Sequence, residues 1–226
     1  MSDITSKKSI VSMKESYKTI KNEKWHRVFI EKSEFIAYVA SVENTSQTAS
    51  VIEYVKNKCP NATHYVYAYS LGIEKDIQKY DDDGEPSGTA GMPILEIIRN
   101  RELKNLIAVV VRYFGGKKLG TGGLKRAYSR TALSAIEEAV EIEKKLYQWI
   151  QITVDYSFWG KIEYFLQKRQ ILIEPISFTD RVSFKIPLPV RQVKMYMDKM
   201  IEITGDIIEF NQLDIEYLEN RDPPNE

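Results

Sequence analysis

Apolar and polar residues alternate in short runs through the first half of the chain. "HYVYAYSLG" sets Tyr65, Tyr67, Tyr69 and Leu71 on one face and Val66, Ala68 and Ser70 on the other, the period of a strand. "WHRVFIE" and "FIAYVASV" (35–42) read as further strands. "LIAVVV" (106–111) is apolar at every position, which predicts a central strand covered on both faces. A helical period appears between them. Ala49, Ile52, Val55 and Cys59 follow Thr45 or Ser46, either of which suits a helix cap, and Pro60 ends the run. The turn-rich "YDDDGEPSGTAGMP" leads into a short helix with Pro93 in its first turn. Leu124, Ala127, Tyr128, Thr131, Ala132, Ala135, Ile136 and Ala139 then hold one helical stripe. The pattern predicts an α/β domain over 15–143, with the charged "EIEKK" at its end.

The second half has another rhythm. "YQWIQITVDY" alternates as a strand, and "FWGKIEYFLQKR" is amphipathic through Phe158, Ile162, Phe165 and Leu166. "ILIEPISF" and "VSFKIPL" flank the turn Thr179-Asp180-Arg181. Val190, Val193, Met197, Met200 and Ile201 form a helical stripe stopped near Gly205, and "LDIEY" follows. Strand, helix, strand, strand, helix, strand over 146–219 is the order of a ferredoxin-like sandwich, so the fold class expected for the whole chain is α+β. The segments 1–14 and 220–226 read as tails.

Composition narrows the classes. Of 226 residues, 43% are hydrophobic and 28% charged, which suits a globular protein and not a disordered one. Lys plus Arg and Asp plus Glu number 32 each, so any electrostatic partner must be read from local pattern. The single Cys59 rules out an intrachain disulfide and points to a reducing compartment. No apolar run approaches the ~18–20 residues of a membrane span, and the amino-terminal stretch lacks the apolar core of a signal peptide. A cytoplasmic protein without a membrane partner is expected.

Local pattern then singles out "YFGGKKLGTGGLKRAYSR", residues 113–130. Lys117, Lys118, Lys125 and Arg126 crowd the expected start of a helix, and no acidic residue occurs from Leu103 to Ile136. Peptide dipoles make that end partly positive, so each exposed cation there is unfavourable by ~0.3–1 kcal/mol. The other end carries Glu137, Glu138, Glu141 and Glu143, again against the dipole. An anion at the amino end would resolve the first conflict, with Gly115, Gly116, Gly120, Thr121, Gly122 and Gly123 letting the backbone approach it and Arg112 reinforcing the charge. The plainer reading makes Lys125, Arg126 and Arg130 a solvated face and the glycines mere turns. Walker spacing fails because Thr121 stands where lysine is needed, and Lys125 occupies the last glycine position of a dinucleotide fingerprint.

Other constellations are weaker. Asp82, Asp83 and Glu85, beside Asp81, form either a hard-cation site or ordinary turn chemistry. Tyr65, Tyr67 and Tyr69 offer a stacking platform or a half-buried sheet face. His26 and His64 are too few for a zinc site, and no catalytic constellation or cofactor motif is found.

Two long motifs, "YDDDGEPSGTAGMPIL" and "VVVRYFGGKKLGTGGLKRAYS", together with "EKSEFIAYVASV" and "NATHYVYAYSLG", resemble the IMPACT/YigZ family over roughly residues 30–135. The resemblance implies a first domain with the fold shared by GHMP kinases, a small-subunit ribosomal protein and domain IV of elongation factor G. It also implies a ferredoxin-like second domain similar to domain V of that factor. Such a pairing implies RNA or ribosome binding by analogy of fold. Eukaryotic relatives resemble regulators that restrain the kinase sensing uncharged tRNA, using an additional amino-terminal domain not found in this sequence. Relatives have also been described as peptidases acting on proline dipeptides, a chemistry these residues do not support. The expectation is a non-enzymatic, translation-associated protein with an RNA or ribosome partner. The rivals are a divalent-cation enzyme for a small phosphorylated or carboxylated ligand, and a protein-interaction module using the tyrosine face.

Overall fold

The structure, a computed structural model, describes residues 13–220, so most of both expected tails lies outside the described residues. The chain divides into two compact units between Glu143 and Lys144.

In the first unit, strands β2 (Lys24–Ile30), β3 (Ser33–Ser41), β4 (His64–Leu71), β5 (Ile77–Asp81) and β6 (Leu106–Tyr113) form a sheet of order β2-β3-β6-β4-β5. Every pairing in it is antiparallel. The expected α/β label is therefore corrected to α+β. Helix α1 (Thr45–Lys58) does connect two strands of like direction, but β6 lies between them.

β6 is central, and its alternate residues serve two cores. Leu106, Ala108 and Val110 join Phe35, Ala37, Val39, Val66 and Ala68 beneath helices α2 (Gly91–Asn100) and α3 (Gly120–Glu138). Ile107, Val109 and Val111 join Ile36, Tyr38, Tyr69 and Leu71 beneath α1. The tyrosine stripe packs in this second core, with the Tyr65 hydroxyl donating to the Cys59 carbonyl at 2.7 Å. The cap of α1 is Asn44, one residue before the expected pair, and its side chain accepts from the Gln47 N–H at 2.9 Å. A short strand, β1 (Ser16–Ile20), was not legible in the pattern. Its Ile20 joins the first core, and its Lys18 carbonyl accepts from the Lys104 N–H at 2.9 Å.

β7 (Glu141–Val154) is one continuous strand that takes up the "EIEKK" segment. Its part from Lys144 onward, helix α4 (Tyr156–Lys168), strands β8 (Glu174–Phe178) and β9 (Val182–Pro189), helix α5 (Val193–Thr204) and β10 (Ile208–Glu219) build the second unit. The strands lie in the order β10-β7-β9-β8, all antiparallel. Ile150, Ile152, Phe184, Ile186 and Leu188 pack against Ile162 and Leu166 of α4 and Met200 of α5. Gly205 ends α5 in the left-handed region at φ 62°.

Candidate functional site

The glycine loop joins the exit of the central strand β6 to the start of α3. Two glycines are demanded by geometry. A Cβ on Gly115 would lie 1.8 Å from the Lys32 carbonyl oxygen, so the chain must pass bare there. Gly116 sits at φ +83°, a left-handed turn that redirects the chain toward α3. Gly120, Thr121, Gly122 and Gly123 form the first turn of α3, and among the described residues no side chain caps it.

Lys117 and Lys118 precede that turn. Lys125 and Arg126 fall in the second turn, where the dipole effect has largely decayed. Their significance is therefore their convergence rather than a dipole penalty. Lys117, Lys118, Arg126 and Arg130 line one groove of about 730 Å³, floored by Ile30, Leu119 and Leu133. Arg126 leans back over the first turn, its Nη1 3.5 Å from where a Gly122 side chain would begin. Lys125 is not among the groove-lining residues. Lys117 pairs with Glu31 at 2.5 Å, and that contact holds the Glu31 carboxyl below its ordinary value. Both partners are more than half exposed, so the pair contributes little to stability. Among the described residues, no carboxylate pairs with Lys118, Lys125, Arg126 or Arg130.

The acidic end of α3 is resolved differently. Arg101 pairs with Glu137 at 2.6 Å and also with Glu141, while Glu138 accepts from His26 Nδ1 at 2.7 Å. The fold supplies cations to that end and leaves the amino end with cations of its own.

Arg112 does not join the exposed set. It is buried, with Nη1 donating to Glu85 at 2.7 Å and Nη2 donating to Ser33 Oγ at 3.3 Å. That placement does not suit its expected role as a phosphate contact, because both its hydrogen-bond partners, Glu85 and Ser33, are themselves buried. Glu85 also accepts from the Tyr128 hydroxyl at 2.7 Å, and burial followed by this bond raises the Tyr128 pKa. His64 Nδ1 donates to the Asp83 carbonyl at 2.7 Å and places Nε2 3.8 Å from Glu85. This internal cluster was not read from the sequence. Its signal was a lone arginine at the end of an otherwise apolar strand, with no surface reason to be there.

Of the weak metal candidates, Glu85 is spent on Arg112 and Tyr128, and Asp82 and Asp83 on the backbone. Asp82 accepts N–H bonds from Gly88 at 2.7 Å, Ala90 at 3.0 Å and Gly91 at 2.8 Å, so it anchors the start of α2. Asp83 accepts from the Tyr65 N–H at 2.6 Å. Among the described residues, no group of three His, Cys, Asp or Glu could hold a metal ion. No helix among them is long and apolar enough to cross a membrane.

Fold and loop together define a two-unit α+β protein with a cation-lined groove beside an uncapped helix start. Residues 31–136 match the Impact N-terminal domain, and residues 152–206 match a domain of unknown function. The chain is 38% identical to the IMPACT family member YvyE of Bacillus subtilis, over 92% of this chain and 95% of that protein. It is 30% identical to the IMPACT family member YigZ of Escherichia coli, over 77% and 87% of the two chains. A crystal structure of a hypothetical protein superposes with a TM-score of 0.59 at 26% identity, covering 89% of this chain and 99% of that one. The chain belongs to the IMPACT family.

Proposed function

We propose that this protein is a non-enzymatic, translation-associated regulator that binds RNA, free or on the ribosome, through the glycine loop and the groove beside it. One observation carries the reading: Lys118, Arg126 and Arg130 line the groove beside the uncapped start of α3, and among the described residues no carboxylate pairs with them or with Lys125. A phosphate backbone supplies the missing negative charge at several points at once, and the bare first turn of α3 offers N–H donors to it. Lys117 joins when it exchanges Glu31 for phosphate, a small cost for an exposed pair. The strand order β10-β7-β9-β8 with two helices supports the ferredoxin-like reading of the second unit, and with it the likeness to the paired domains of elongation factor G. The cytoplasm is the compartment such a role requires.

Two observations weigh against the rivals. The enzyme reading relied on Asp82, Asp83 and Glu85 facing a cation, and these side chains face the protein. The interaction-module reading relied on a tyrosine face that packs against the core beneath α1, fully at Tyr69 and partly at Tyr65 and Tyr67.

The test is crosslinking to RNA in cells with ribosome sedimentation as readout. Wild type should crosslink and cosediment with ribosomal particles, and the triple variant Lys117→Gln, Lys118→Gln, Lys125→Gln should do neither. Equal crosslinking of the two proteins defeats the proposal.

A further inference from the structure

We infer that Phe114 is a base-stacking platform that makes this site select single-stranded over duplex RNA; the inference rests on the RNA-binding reading above. The ring stands at the mouth of the glycine loop and is 46% exposed. One side of it is occupied. The Arg112 guanidinium lies over it, 5.3 Å from its centroid, and also over the Phe35 ring, 5.4 Å from that centroid.

Isolated exposed aromatics are common on protein surfaces and need no explanation. Phe114 differs in how firmly it is set. Glu85 and Ser33 fix the guanidinium beneath it. Its own N–H donates to Thr63 Oγ1 at 3.0 Å, and the next N–H, of Gly115, donates to Ser33 Oγ at 3.2 Å. The Lys32 carbonyl closes the space at Gly115. The ring is thus presented by a buried, charged foundation while its outer part meets solvent. A preset platform loses little entropy when a base settles on it.

Charge complementarity names the occupant. Lys117 lies three residues on, at most about 11 Å along the chain, and Lys118 follows it. A base on Phe114 and phosphates at Lys117 and Lys118 can therefore belong to one short run of nucleotides. Stacking needs an unpaired base, and every base has a face to offer, so the selection is for single strands and not for sequence.

The experiment is fluorescence anisotropy at about 50 mM salt, low enough to preserve phosphate contacts. The probes are a single-stranded RNA 12-mer and a duplex of the same length, with the full chain. Phe114→Ala should weaken single-strand binding about ten-fold and leave duplex binding and the salt slope unchanged. Phe114→Leu, which still covers Arg112 but has no π-face, should behave likewise, so a folding defect in the alanine variant does not decide the matter. Phe114→Trp should bind as tightly as wild type. Single-strand affinity within two-fold of wild type in both the Ala and Leu variants overturns the platform. So does an equal loss for duplex. If Lys117→Gln with Lys118→Gln abolishes binding while the Phe114 variants do not, the platform alone falls. If wild type binds neither probe, the RNA reading falls with it.

Discussion

At the scale of single residues, two kinds of charged group have opposite fates. Arg112 and Glu85 are both nearly inaccessible and pair with each other, so removing one strands the other in a medium of low polarity. Arg112→Ala should cost about 3–5 kcal/mol of stability, measured by urea denaturation with hydrogen exchange of the β6 amides as the local readout. A loss under ~1 kcal/mol would place Arg112 among the surface cations after all. Asp76 illustrates the pH side. Burial pushes its carboxyl up, but bonds from Lys104 and Ser70 and the Lys104 charge outweigh burial and leave it below its ordinary value. A lowered pKa contributes stability that is present above the ordinary value and lost as pH falls through the lowered one. Asp76→Asn should therefore make the urea midpoint fall less steeply below about pH 4, and an unchanged acid limb would contradict that. The sequence showed Lys117, Lys118, Lys125 and Arg126 as a cluster because they are contiguous. It hid Arg112 and Glu85 because 27 residues separate them and only the sheet brings them together.

At the scale of elements, α3 joins a buried stripe to an exposed and uncapped start. The stripe from Leu124 to Ala139 was legible because burial of one helical face imposes its own period. β6 was legible because two cores share it. β1 was not, since "SYKTI" is short and only Thr19 and Ile20 in it are fully buried. The antiparallel order of the sheet was also hidden, because periodicity fixes which residues face inward but not the direction of the neighbour. An anion site left open at a helix start should show a conflict between stability and binding. Thr121→Glu places a carboxylate in the first turn of α3, and relative to Thr121→Gln it should stabilise by about 0.3–1 kcal/mol. The same variant should weaken RNA binding, because the carboxylate takes the place of phosphate. A thermal-shift and anisotropy pair tests both halves. A Glu variant that is no more stable than the Gln variant, or that binds RNA unchanged, would show that no anion belongs there.

At the scale of the whole molecule, positive and negative side chains balance at 32 each, so net charge draws no nucleic acid to this chain. Binding must come from a local field, and a local field has a measurable signature. Each phosphate neutralised by a cation releases bound counterions, so the logarithm of affinity falls linearly with the logarithm of salt concentration. For single-stranded RNA the slope changes by about 0.7 for each contact. The decisive measurement is this slope for wild type and for the Lys117→Gln, Lys118→Gln, Lys125→Gln variant. The account predicts a steep negative slope for wild type and one shallower by about 2 units in the variant. Parallel lines with equal affinities would show that these cations meet no phosphate.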